Sequence, residues 1–271
     1  MITNGRTGPV VFVDKGHHNF HTKSGRYRAF SDLLERDGYV VRSYAGEFEK
    51  SGLKEGKILV ISNALHPFND TNWYKPVLSA FSPKEIKTVK KWVKQGGNLF
   101  LIADHMPMGG AAADLAAGFG FEFTNGFAMD TASRGPAFFN REDGSLNDCI
   151  LTNGRNESER VDRIASFTGQ AFAIPWEATP VLVFQSNYVN LETDTAWVFD
   201  ERTSIYNVDG WAQGAFRTYG KGKVVAFGEA AMFTAQLAGP NQIRMGMNND
   251  AAPENYQLLM NIVHWLDGKL E

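Results

Sequence analysis

The sequence predicts an α/β fold, and three observations carry the prediction. Short, wholly apolar runs alternate with segments of helical periodicity, turn residues mark the junctions, and a hairpin pattern appears only in the last third. Val10-Val11-Phe12-Val13 is the first apolar run, β-branched and followed by a polar cluster, as a strand buried on both faces reads. After a loop over 16–24, Tyr27, Phe30, Leu33 and Leu34 recur at helical spacing, and Gly38 supplies the stop. Tyr39-Val40-Val41 opens a second strand, Ile58-Leu59-Val60-Ile61 a third and Asn98-Leu99-Phe100-Leu101-Ile102 a fourth. Between the last two, Ser82-Pro83-Lys84-Glu85 is a capping box with proline at the first helical position. Ile86, Val89 and Val93 follow on one face, and Gly96-Gly97 ends the helix.

This alternation implies a mostly parallel sheet covered by helices on both faces and joined by right-handed crossovers, a flavodoxin-like, doubly wound three-layer sandwich. Beyond about Asp130 the helical pattern fades. Residues 180–184, 195–199 and 214–219 read as strands, and Gly220-Lys221-Gly222 turns the last of these into 223–227 as an antiparallel hairpin. A final helix is expected from near Asn249-Asp250, with Pro253 and Glu254 in its first turn, to Leu266. It buries Leu259, Ile262, Val263 and Leu266 and stops at Gly268, with His264 a half-buried or surface residue beside the stripe. At 271 residues the chain is expected to form one domain over 1–271.

Composition narrows the function classes. With 43% hydrophobic and 21% charged residues the chain can bury a full core without disulfides. A formal net charge of −3 with scattered Lys and Arg gives no footprint for nucleic acid or an anionic membrane. No apolar run approaches the about 20 residues that span a bilayer, and Met1-Ile2-Thr3-Asn4-Gly5 lacks a signal pattern, so a soluble chain is the expectation, cytoplasmic as it stands, with the natural compartment left open. Cys149 is the single cysteine, far from the other motifs, and is expected to be structural or without a role.

In open parallel sheets ligands bind outside the carboxyl ends of the strands. The first strand runs into Asp14-Lys15-Gly16-His17-His18-Asn19-Phe20-His21, the third into Ser62-Asn63-Ala64-Leu65-His66, the fourth into Asp104-His105, and the last apolar strand into Gly228-Glu229. Five of the six histidines therefore follow strand ends. Imidazoles and carboxylates gathered there point to a catalytic or binding site, with His17, His21, Asp104, His105 and Glu229 as candidate catalytic residues and Asn19 and Asn63 as substrate contacts. Two chemistries stay open. Asp14, His17, His21 and His105 would suit a divalent metal such as zinc or manganese, or a histidine oriented by Asp14 or Asp104 would activate water without metal. Each acid alone reads equally as a cap or loop tie. Gly109 and Gly110 open an alanine-rich helix whose amides would stabilise an anion, or they simply allow close packing. No Gly-x-Ser-x-Gly elbow surrounds Ser62, which disfavours a covalent serine mechanism. The aromatic loop over 67–73 and Trp73 are assigned no role.

The strings Asp14–Thr22 (Asp-x-Gly-His-x-Asn-x-His-Thr), Ala103-Asp104-His105 and Gly228–Phe233 (Gly-Glu-Ala-Ala-Met-Phe) resemble an uncharacterised bacterial family of the class I glutamine amidotransferase-like superfamily, related to the trehalose-utilisation ThuA-like proteins. The resemblance covers most of the chain and implies the superfamily's fold. It departs from the amidotransferases proper where their nucleophilic cysteine elbow would stand, since that strand end here reads Ala103-Asp104-His105. The ThuA-like branch implies a carbohydrate-related small-molecule substrate, and family members that resemble exported proteins keep the periplasm open. The expectation is a hydrolase acting on a small ester, lactone, amide or sugar derivative. The alternatives are a non-catalytic ligand-binding module or a sugar lyase or isomerase.

Overall fold

The computed structural model describes residues 7–133 and 135–271. Its centre is a nine-stranded sheet. The strands are β1 (Val10–Asp14), β2 (Val40–Tyr44), β3 (Ile58–Ser62), β4 (Asn98–Ile102), β5 (Glu122–Phe123), β6 (Phe172–Ala173), β7 (Thr179–Val183), β8 (Ala212–Tyr219) and β9 (Gly222–Phe227). They lie in the order β2-β1-β3-β4-β9-β8-β6-β5, with β7 also paired to β8. β2, β1, β3, β4 and β9 are mutually parallel, and β8 returns antiparallel to β9 as the expected hairpin.

Side chains alternate across the pleat and so divide the core in two. Phe100, Ile102, Val225 and Phe227 pack with Phe30 and Leu34 of α1 (Arg28–Arg36) and with Leu259, Ile262 and Val263 of the C-terminal helix. Leu99, Leu101, Val224 and Ala226 pack on the opposite face, with Val89 and Val93 of α2 (Pro83–Lys94) and Leu115 and Ala116 of α3 (Met108–Ala117). β3 and β4 are buried at every position, which is why they read as unbroken apolar runs. The α2 capping box forms as expected, with Ser82 Oγ accepting from the Glu85 amide and Glu85 accepting from the Ser82 amide.

Two expectations fail. Residues 195–199 form no strand: Thr195 makes one isolated bridge to Tyr74, and Trp197 takes φ +66°, a left-handed conformation foreign to strands. Their aromatic side chains cover Phe127 instead of joining a ladder. The final helix, α4 (Asn255–Asp267), starts later than expected. Residues 249–254 are held outside it because the Asn249 side chain accepts the Ala251 amide and Glu254 accepts the amides of Asp162 and Arg163. His264 is fully packed rather than half-buried, with Nε2 2.8 Å from Asp37 Oδ2. Small antiparallel pairings that the sequence pattern did not announce lie beyond the main sheet, including Phe127–Asp130 with Tyr188–Glu192 and the hairpin Ala235–Ala238/Ile243–Gly246.

Register places the site. Phe227 pairs with Ile102, and Ile102 with Ser62, so the chain leaves β9, β4 and β3 at one level. β1 joins β3 in the same sense, with Val13 opposite Val60. The chain passes from β1 outward to β2 and then back past β1 to β3, so the switch point of the sheet lies between β1 and β3. Asp14, Asn63, Asp104 and Glu229 therefore gather at one rim.

Candidate functional site

The rim holds two clusters of opposite character. In the loop after β1 the polar groups bind one another. Asp14 is completely buried; one of its oxygens accepts the Gly16 amide at 3.0 Å, and the other accepts Asn19 Nδ2 at 3.0 Å. His17 Nδ1 lies 2.9 Å from Asp14 Oδ2, and its Nε2 lies 2.8 Å from Glu85 Oε1. The imidazole is held between two carboxylates, with Phe48 and Phe81 against the ring. Burial pulls its pKa down, but the bonds and charges of Asp14 and then Glu85 outweigh burial, and the pKa ends above the ordinary 6.5. Burial likewise raises Glu85, but the bonds from His17 and Ser82 bring it down to about 2. Asp14-His17-Glu85 thus pins the β1 loop to the start of α2. Asn19 completes the brace by accepting the His17 amide and donating to the Ser62 carbonyl.

His21 is the exception within that loop. Its ring is 2% exposed, rests on Tyr27 at 4.9 Å and meets Phe20 edge-on at 5.4 Å. Neither nitrogen has a partner among the described residues. Burial, with the Arg26 charge adding to it, lowers its pKa to about 3, so it is neutral at physiological pH. His18 is exposed and pairs with Asp70, and His66 caps the short turn at Pro67–Asn69.

At the end of β4 the chemistry is left open. The Asp104 amide donates to Asn63 Oδ1 at 2.8 Å, and Asp104 Oδ1 accepts the His105 amide at 2.9 Å. Asn63 is itself left-handed at φ +47°. His105 Nδ1 lies 2.7 Å from the Met106 carbonyl. A carbonyl only accepts, so Nδ1 carries a proton and in the neutral ring the lone pair is on Nε2, which has no partner among the described residues. The ring stacks on Phe127 at 4.4 Å, with Trp197 edge-on at 4.7 Å and Trp73 at 6.4 Å. Behind Asp104 lies Glu229, wholly buried and accepting the amides of Ala231 and Met232 at 2.6 and 2.8 Å. Burial first, and then the Asp104 charge, push its pKa well above the ordinary carboxylate range despite those bonds.

The expected metal set does not assemble. His17 spends both nitrogens on carboxylates, Asp14 is committed to the loop, and His21 and His105 stand in separate aromatic settings bridged by Phe20 and Trp73. Among the described residues no three His, Cys, Asp or Glu side chains are placed to hold a metal ion. His17 is for the same reason not free to act as a base. The anion reading of Gly109 and Gly110 is corrected too. The Gly110 amide donates to Asn125 Oδ1 at 3.1 Å, and the Gly109 amide donates within the first turn to His105. A Cβ on Gly109 would sit 2.4 Å from the Thr124 carbonyl oxygen, so packing demands glycine there. Asn19 and Asn63 serve as loop braces.

Sequence reasoning missed Glu85 as a partner of His17, and also Trp73, Phe127 and Trp197 around His105. It missed Gln170 as well, a buried amide that donates to the Ala103 carbonyl at 2.8 Å and steadies the β4 end. Only Glu85 carried a signal, its capping box, and that signal named another role.

The chain matches no protein-family model and none of the curated proteins. Among solved structures, a ThuA-like protein from Bacteroides uniformis is similar with a TM-score of 0.54 at 10% identity, over 100% of this chain and 97% of that one. The fold is glutamine amidotransferase-like, or flavodoxin-like: an α/β fold with a mostly parallel sheet and antiparallel strands toward the C-terminus. The mmIFT52 N-terminal domain is similar with a TM-score of 0.67 at 13% identity, over 95% of this chain and 97% of that one. A cytoplasmic protein of Salmonella typhimurium is similar with a TM-score of 0.53 at 12% identity, over 95% and 98% of the two chains. The superfamily's cysteine has no counterpart at the strand end, where Asp104 and His105 stand, and Cys149 is buried at the start of the short helix Ile150–Asn153. Among the described residues no helix is long and apolar enough to cross a membrane.

Proposed function

We propose that the protein is a hydrolase of small polar substrates, an ester, lactone, amide or sugar derivative, in which His105 activates water. The observation that carries the reading is the His105 ring, whose Nδ1 proton is held by the Met106 carbonyl while Nε2 is without a partner among the described residues. Nε2 takes a proton from water as its oxygen attacks the substrate carbonyl or acetal carbon, then returns the proton to the leaving group. The imidazolium formed meanwhile is stabilised by Met106 and by the neighbouring Asp104 carboxylate. Burial and the Asp104 charge raise the Glu229 pKa, which disfavours a second negative charge behind Asp104. Trp73 and Trp197 offer edges and faces on which a sugar ring packs, which supports the carbohydrate-related class implied by the ThuA-like resemblance. A screen of ester, lactone, amide and glycoside substrates with native protein and His105→Ala tests the reading. Turnover lost in the variant supports it. Equal turnover in both, or none across the panel with native protein, sinks it. In the latter case the aromatic wall around His105 favours a non-catalytic binding module.

A further inference from the structure

A cavity of about 700 Å³ is lined by none of Asp104, His105 and Glu229. It opens beside the strand Phe127–Asp130 and under the hairpin Ala235–Ala238/Ile243–Gly246, with Met129, Phe184, Tyr188, Phe199, Ile243 and Met245 in its walls. Gln213 also lines it and is 1% exposed. Gln213 Nε2 donates to the Thr168 carbonyl at 3.0 Å, which fixes the amide's orientation because a carbonyl only accepts. Oε1 is left buried without a partner. An unmet buried acceptor is destabilising, and such a group calls for a donor from outside the chain. A cavity of this size with mostly apolar walls, in which Gln213 stands with Asp130, Thr168, Arg244 and Asn249 among the polar lining residues, has the build of a small-molecule site.

We propose that this cavity binds a flat, largely apolar ring compound that donates an N–H or O–H to Gln213 Oε1 and carries an acidic group toward Arg244. The thioethers of Met129 and Met245 and the rings of Phe184, Tyr188 and Phe199 match the faces and edges of a planar ring system. Arg244, also in the lining, is exposed, and its partner Asp250 stands 3.4 Å away in solvent, a pairing weak enough for a ligand anion to replace. The site stands apart from the hydrolytic reading, since it shares no residue with the Asp104-His105 cluster, which it adjoins where Phe199 touches Phe127 and where the Phe167 backbone bonds to Glu229.

The test is fluorescence titration with 8-anilinonaphthalene-1-sulfonate, which combines a ring body, one N–H and a sulfonate. Near-ultraviolet circular dichroism verifies that each protein keeps its packed fold. The expected result is one probe bound per chain. Binding is abolished by Ala137→Trp, which fills the cavity from its wall, and weakened about fivefold or more by Gln213→Met, the loss of one hydrogen bond of about 1 kcal/mol. It is unchanged by His105→Ala. No binding to native protein, or equal binding to folded Ala137→Trp, overturns the proposal. If Gln213→Met fails to fold, Arg244→Ala replaces it, with weaker binding expected and unchanged binding counting against the acidic group. Since His105→Ala is read by turnover and the cavity by probe binding, either reading can fail without the other.

Discussion

The loops after β1 and β4 look alike as strings of histidines and acids but end in opposite states. After β1, Asp14, His17, Asn19 and Glu85 consume one another's donors and acceptors, and the product is a rigid brace between β1 and α2. After β4, backbone groups orient Asp104 and His105 but leave His105 Nε2 unspent. The density of polar residues therefore says little about where chemistry happens. What distinguishes the two is whether each polar atom already has a partner inside the chain.

The sharpest way to break this comparison is to remove one histidine from each loop. His105→Ala is expected to lower kcat/KM by about 10²–10⁴-fold, the usual reach of a general base, with its melting temperature close to that of native protein. His17→Ala should do the reverse. It leaves Asp14 and Glu85 buried without the imidazole that bridges them, at a cost of about 3–5 kcal/mol in urea unfolding, while the turnover of the folded fraction persists. Comparable activity losses in the two variants would show that the β1 loop is part of the working site.

A smaller effect is expected at the helix that opens after His105. Gly109→Ala forces a methyl group onto the Thr124 carbonyl and the Gln170 amide, and overpacking of this kind costs about 1–3 kcal/mol by denaturation. Activity falling with no loss of stability would revive an anion-binding role for these amides.

The pH dependence of stability separates the clusters further. The Glu85 contribution is complete above its ordinary pKa of 4.5 and disappears as pH falls toward about 2. The raised His17 contributes fully below 6.5 and loses its contribution as pH climbs through its higher folded value. Urea unfolding of native protein should therefore show both limbs, and His17→Ala should lose the alkaline one. The smallest change sought is in the buried acid pair. Asp104→Asn removes one of the two causes that raise Glu229, so a carbon-13 NMR titration of the Glu229 carboxyl should move downward while burial keeps it above 4.5. An unmoved Glu229 would mean that the two carboxyls do not sense each other.

Much of the architecture could be read along the chain because its causes are local. The strands β3 and β4 are buried on both faces and so carry continuous apolar runs, and the Ser82–Glu85 box announces α2. Residues 195–199 show the limit of that logic. Their composition suits a strand, yet Trp197 is drawn to Phe127 and His105, side chains far away in sequence. The candidate site divides along the same line. Placing Asp14, Asp104, His105 and Glu229 at one rim needed only strand order. Deciding which of them is free needed Glu85, Met106, Asn63 and Phe127, none of which advertises that role.

By itself, then, the sequence determined the alternating elements, the parallel core strands and the gathering of histidines and acids at the carboxyl ends, because periodicity, capping and turn residues act over a few neighbouring positions. Tertiary structure alone decided that His17 is a clamp, that His21 is a neutral buried ring, that His105 has an open nitrogen, and that a cavity with an unmet amide oxygen lies beside them. Those outcomes depend on hydrogen-bond partners and burial supplied by the fold, from the adjacent Met106 to Glu85 and Phe127 farther along the chain, and a hydrogen bond is made or missed within a few tenths of an ångström.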